Sequence, residues 1–334
     1  MTHIPKIQVE MHKQDYISKL WELLRTQPAT APQVVRATDE DHGDYMVESL
    51  DLDYAGTIIR GFLTRPKATG RHPAMLYAHA HGRRYDIGAR ELLDGRAALR
   101  GPLGPVFARA GFVTLCIDMP CFGARASISE DALVKQTLWR GSTVMGQMLS
   151  ELSGALSYLC ARPDVDAERI GAFGISMGAT HAYMLAGLDA RIKAVAHLCC
   201  YADFETLIEL DHHDLHGHYL TIPGFSHATS VGQIAGLIAP RPQLICNGAD
   251  DPLTPPSAVT RAYKETEAAY QASGSPENLR YIAYPDTGHT ETDAMRDEVM
   301  AFFATHLGQA KRLTGVRGAG RRPRASPAAA AHRP

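Results

Sequence analysis

A serine with a glycine two residues away on either side, Gly174-Ile175-Ser176-Met177-Gly178, joins a short β-compatible run, Arg169 to Phe173, to a run of helix formers, Ala179 to Ala186. A chain passes from strand to helix this abruptly only through a sharp turn. Such a turn strains the serine backbone and leaves room for little more than glycine at the flanking positions. It also exposes the hydroxyl and aims the N-terminal N–H groups of the helix at any negative charge that develops beside it. The pentapeptide alone recurs by chance in roughly one chain of this length in ten. Its surroundings decide what it means.

Those surroundings alternate. Ala74 to Ala78, Phe112 to Ile117, Ala194 to Cys199, Pro242 to Gly248 and Leu279 to Tyr284 are short apolar runs that read as buried strands. Between them lie helical patterns, the clearest marked by Val144, Met148, Leu152, Ala155, Leu156 and Leu159. Strands that alternate with helices predict a parallel sheet with right-handed crossovers. Leu92 to Ala110 contains a helix whose first part is broken by Gly101, Pro102, Gly104 and Pro105, and a final helix runs from about Thr292 to Leu307. Upstream, Tyr45 to Tyr54 and Thr57 to Leu63 flank Ala55-Gly56 and predict an antiparallel hairpin at the sheet edge. Ile17, Leu20, Trp21 and Leu24 recur at helical spacing, so residues 13–25 are expected to form an amphipathic helix ended by Pro28 and Pro32. Residues 201–240 break the alternation and are expected to form an insertion above the serine.

A serine hydroxyl is a poor nucleophile without a base, and the base needs a group to orient it. Two later strand ends offer both. Gly248-Ala249-Asp250-Asp251-Pro252 follows one strand and Pro285-Asp286-Thr287-Gly288-His289 follows the next. Ligands in open α/β sheets sit beyond the carboxyl ends of strands. His289 is the candidate base, because an imidazole titrates near neutrality and can take a proton and return it. Asp251 is the candidate orienting carboxylate. Pro252 restricts it to extended backbone, which Asp250 escapes. Asp286 is the next candidate acid.

In the order Ser, acid, His, these residues resemble the α/β-hydrolases, nearest to the dienelactone-hydrolase-like and acetyl-xylan-esterase-like serine esterases. The resemblance runs from about Tyr45 to Leu307 and is carried by His79-Ala80-His81-Gly82, Gly174 to Gly178, Gly248 to Pro252, and Gly288-His289. Ser176 stands where dienelactone hydrolases proper use a cysteine, so that particular activity is not implied. The resemblance implies the α/β-hydrolase fold, a mostly parallel sheet flanked by helices. It also implies a Ser176–Asp251–His289 triad acting on a small or medium carboxylic ester through an acyl-enzyme. An oxyanion would be held by the backbone N–H groups of Met177 and His81, with Arg83 as the alternative second donor. An amide hydrolase or an acyltransferase would use the same triad, and a non-catalytic binding protein would keep only the fold.

The remaining sequence bounds this reading. A chain of 334 residues can build one large α/β domain. The expected division is an N-terminal helix and linker over residues 1–44, a catalytic domain over 45–308 and a basic, disordered tail over 309–334. The net charge is −2, yet seven basic residues and no acid fall in 311–334, so the body is acidic and offers no face for nucleic acid. The six cysteines lack metal or redox spacing and read as free thiols in a reducing compartment. With no leader-like N-terminus and no apolar run of membrane length, a cytoplasmic protein is expected, with a small-molecule substrate, no membrane contact and homo-oligomerisation left open. Neither a cofactor nor a metal is expected. The run Asp211-His212-His213-Asp214-Leu215-His216-Gly217-His218 lacks the spacing of a structural zinc site and reads as a polar lid beside the pocket.

Overall fold

A computed structural model describes residues 12–308. The expected tail, and the first eleven residues, lie outside the described part. One nine-stranded sheet organises the rest. Its strands are β1 (Gln33–Asp41), β2 (Tyr45–Tyr54), β3 (Thr57–Pro66), β4 (His72–Ala78), β5 (Val113–Ile117), β6 (Val165–Ile175), β7 (Ala194–Leu198), β8 (Gln243–Gly248) and β9 (Leu279–Tyr284). Their spatial order is β1-β2-β3-β5-β4-β6-β7-β8-β9. The first three strands and β5 pair antiparallel. From β5 through β4 to β9 every pairing is parallel.

The burial of each strand explains why the parallel part is legible in sequence. β5, β7 and β8 are buried at every position, because helices cover both faces of the sheet. One face packs under the helices Val144–Ala161 and Met177–Leu188, with Met148, Leu152, Leu156, Tyr183 and Leu185 in the core. The other packs under Leu103–Arg109 and Asp293–Leu307, through Phe107, Val299 and Phe303. The helix Val144–Ala161 is capped by Thr143, whose Oγ1 accepts the Gly146 N–H at 3.0 Å.

The predicted hairpin forms over β2 and β3, with Ala55 and Gly56 at its tip at φ of 52° and 94°. It does not lie at the edge. β1, drawn from the segment expected to be a linker, pairs outside it. All nine β1 residues are exposed, so no inward-facing alternation marks the strand in sequence. The amphipathic helix spans Lys13–Leu23 and buries Leu20 and Trp21. Residues 201–240 form a string of short helical segments between β7 and β8. All six cysteines are unpaired and five are buried. No helix among the described residues is long and apolar enough to cross a membrane.

Candidate active site

Four strand ends converge at the carboxyl edge of the parallel sheet. Ser176 follows β6 and opens the helix Met177–Leu188 at φ 58° and ψ −127°, a conformation that costs a residue with a side chain on the order of 1–3 kcal/mol. The two glycines are there for space. A Cβ on Gly174 would strike the Gly178 backbone, and one on Gly178 would strike the Ala78 carbonyl at the end of β4. The turn is therefore packed against its own continuation and against the neighbouring strand.

Asp251 follows β8 and His289 follows β9. The Nδ1–H of His289 donates to Asp251 Oδ2 at 2.7 Å, and the Ser176 hydroxyl donates to His289 Nε2 at 2.9 Å. Asp251 is acceptor-only, so it selects the tautomer whose Nε2 lone pair faces the serine. The other Asp251 oxygen accepts the Leu253 N–H at 2.9 Å, and the carboxylate is fully buried. Asp250 and Asp286 are exposed, and neither reaches His289.

The loop after β4 supplies the facing wall. Among the described residues, the backbone N–H groups of Met177 and His81 donate to no protein acceptor. The Arg83 N–H is committed to His81 Nδ1 at 3.0 Å, and the Ala80 N–H to the Glu91 carboxylate at 3.1 Å. The His81 ring donates through Nε2 to Glu130 Oε2 at 2.9 Å. Glu130 also accepts from Tyr85 Oη at 2.9 Å and from the Tyr219 N–H at 2.8 Å. It thus ties the loop after β4 to the insertion. Burial is the largest single influence and works against its charge, yet the pull of His81 and the hydrogen bonds from His81, the Tyr219 N–H and Tyr85 together outweigh it and hold the carboxyl below its ordinary range.

The insertion closes the third side. A cavity of about 500 Å³ opens over Ser176 and His289, bordered by Arg83, Asp214, His216 and Leu253. The expected polar lid is thus at the pocket, although its histidines serve it structurally. His212 Nδ1 donates to the Pro252 carbonyl at 2.9 Å and His216 Nε2 to the Leu253 carbonyl at 3.1 Å, clasping the lid to the loop that carries Asp251. Burial pulls the His216 pKa down. Among the described residues, no group of three or more His, Cys, Asp or Glu is arranged to hold a metal ion. A larger cavity of about 900 Å³, between residues 26–33 and 133–151, is remote from these groups.

Glu91, Arg96 and Glu130 went unread in the sequence. Each sits in a segment without a motif, and only the return of the chain to the β4 loop shows what they touch.

A mostly parallel sheet with a strained serine on a strand-to-helix elbow, and an acid and a histidine after later strands, defines the α/β-hydrolase class. The dienelactone hydrolase family model matches residues 103–213. The Bacillus subtilis (strain 168) protein YtaP, whose name places it among hydrolases, is 35% identical over 293 residues, spanning 86% of this chain and 98% of its own. The chain belongs to the dienelactone hydrolase family and is an esterase-type hydrolase. Among solved structures, an acetyl xylan esterase from Paenibacillus sp. R4 superposes with a TM-score of 0.64 at 20% identity, covering 91% of this chain and 97% of that one. The methylesterase BT1017 superposes with a TM-score of 0.67 at 22% identity over 88% of this chain, which spans only 62% of that larger protein. These two likenesses speak to the fold.

Proposed function

We propose that this chain is a serine carboxylesterase that works through Ser176, His289 and Asp251 by way of an acyl-enzyme. The observation that carries the reading is the continuous hydrogen-bond chain from Asp251 to His289 to Ser176, at 2.7 and 2.9 Å. As the Ser176 Oγ attacks the ester carbonyl carbon, His289 Nε2 takes its proton. The carbonyl π pair moves onto oxygen. That oxyanion is held by the Met177 and His81 N–H groups, the first at the start of a helix whose dipole favours negative charge. Collapse breaks the bond to the alcohol, which leaves with the proton from His289. Water then attacks the acyl-enzyme, again losing its proton to His289, and the acid departs with Ser176 restored. Asp251 orients the ring and stabilises the imidazolium without itself taking the proton.

The cavity of about 500 Å³ suits a small or medium ester. Turnover of a series of p-nitrophenyl esters of increasing chain length, beside a Ser176→Ala control, tests the reading. Ser176→Ala should lower kcat by several powers of ten, on the order of the 10⁶ seen for a serine nucleophile elsewhere, while leaving folding intact. A serine-directed phosphonate should label Ser176 alone. Near-normal turnover in the alanine variant would overturn the proposal.

A further inference from the structure

Behind the loop after β4, on the side away from the cavity, lies a buried ion pair between Arg96 and Glu91. The side chains are 5% and 0% exposed. A buried pair of this kind is weak evidence for stability, since well-packed apolar residues often do as well or better. Its hydrogen bonds show another use. Arg96 Nη2 donates to the Ala80 carbonyl at 2.8 Å. Both Glu91 oxygens accept the Ala80 N–H, at 3.2 and 3.1 Å, and Oε1 also accepts from Tyr77 Oη at 2.6 Å. Arg96 Nη1 also occupies the space that a Cβ on Gly82 would need.

The Ala80 carbonyl belongs to the same peptide plane as the His81 N–H, and in a trans peptide the two point in opposite directions. Fixing one end aims the other. We infer that Arg96 is a positioning residue for the oxyanion site: it clamps the Ala80–His81 peptide by its carbonyl and so directs and strengthens the His81 N–H as a donor to the tetrahedral intermediate. A charge-assisted bond to the carbonyl draws electron density toward oxygen and leaves the N–H at the far end more positive. The clamp is in place before substrate arrives, so it costs no reorganisation when the charge develops. Glu91 holds the preceding peptide and supplies the countercharge that lets a guanidinium lie buried there. The planar fork of arginine reaches the Ala80 carbonyl and Glu91 together, which the single ammonium of lysine does less well.

The inference rests on the proposed roles of Ser176 and His81, and its test keeps the two apart. Three variants are compared with the wild type on p-nitrophenyl acetate: Ser176→Ala, Arg96→Lys, and Arg96→Met combined with Glu91→Gln, which removes both buried charges at once. Active sites are counted by exhaustive phosphonate labelling, so that kcat refers only to folded, competent enzyme. Losing an oxyanion donor outright costs about 10²–10³ in kcat, so weakening one through its peptide should cost the charge-free double variant about 10- to 100-fold, with KM within about twofold of wild type. Arg96→Lys should recover part of the loss, and affinity for phenylboronic acid, which forms a tetrahedral adduct on serine, should fall in parallel with kcat. A kcat per labelled site equal to wild type in the double variant would overturn the clamp. So would a change confined to KM, or the absence of any labelled sites in both Arg96 variants, which would make Arg96 a folding residue. If Ser176→Ala abolishes turnover while the Arg96 variants keep theirs, the clamp alone fails. If Ser176→Ala keeps its turnover, the triad falls first.

Discussion

Acid should destabilise this protein through three buried histidines. His79, His181 and His197 are fully buried and have pKa values lowered by burial to about 3, about 4 and about 3. Their hydrogen bonds suit the neutral ring. His79 Nε2 accepts the Met119 N–H while its Nδ1 donates to the Ala80 carbonyl. His181 Nδ1 donates to the Met177 carbonyl, and His197 Nε2 accepts from the Gln243 amide. The folded chain keeps these rings neutral, whereas the unfolded chain protonates them near pH 6.5, so below that pH the unfolded state binds more protons and stability falls. The loss begins as pH drops through about 6.5 and continues until the folded values near 3 to 4 are reached. Between pH 7 and pH 5 each ring should cost about 2 kcal/mol, and the three together about 6 kcal/mol, comparable with the whole stability of many domains. At pH 5 all three folded values are still below the solution pH, so the figure depends on the rings being neutral and hardly on their depth. Burial raises the Glu91 and Asp118 carboxyls, which works in the opposite direction as pH falls. A single-site difference removes that background. His197→Gln should shrink the pH 7 to pH 5 loss by about 2 kcal/mol, whatever the substitution costs at pH 7. Urea unfolding followed by circular dichroism at the two pH values measures both losses. An identical loss in variant and wild type would show that His197 does not stay neutral in the folded chain.

Three further outcomes follow from the site. Asp251→Asn should lower kcat by on the order of 10⁴, by releasing the His289 tautomer, while Asp250→Asn, at an exposed position, should cost about tenfold at most; the reverse ranking on one ester would move the orienting acid. Gly178→Ala drives a Cβ into the Ala78 carbonyl and should lower stability by about 1–3 kcal/mol, read as a lower urea midpoint, and an unchanged midpoint would mean that the elbow is not packed against β4 as described. Glu130→Gln leaves one of its three donors facing an amide N–H, which should cost about 1–3 kcal/mol and speed proteolytic cleavage within residues 211–220, and wild-type resistance there would refute the tie between the lid and the β4 loop.

Much of this molecule was readable before its structure, and the reason is local. A parallel strand covered on both faces must be apolar at nearly every position, so β5, β7 and β8 announce themselves. A serine elbow excludes side chains at fixed offsets, so Gly174 and Gly178 mark Ser176. The chain order of Asp251 and His289, each just past a strand, followed from the same short-range signals. The tertiary structure alone decided what depends on distant segments meeting. β1 carries no inward face and exists because β2 offers it an edge. β5 lies between β3 and β4 although it follows both in sequence. Glu130, 49 residues beyond His81 and 89 before Tyr219, joins a loop to a lid only once the sheet has brought them together. Arg96 lies 16 residues from Ala80 with no motif between them, and what it grips is a backbone carbonyl. A peptide group has no sequence signature, so its partners become visible only in three dimensions.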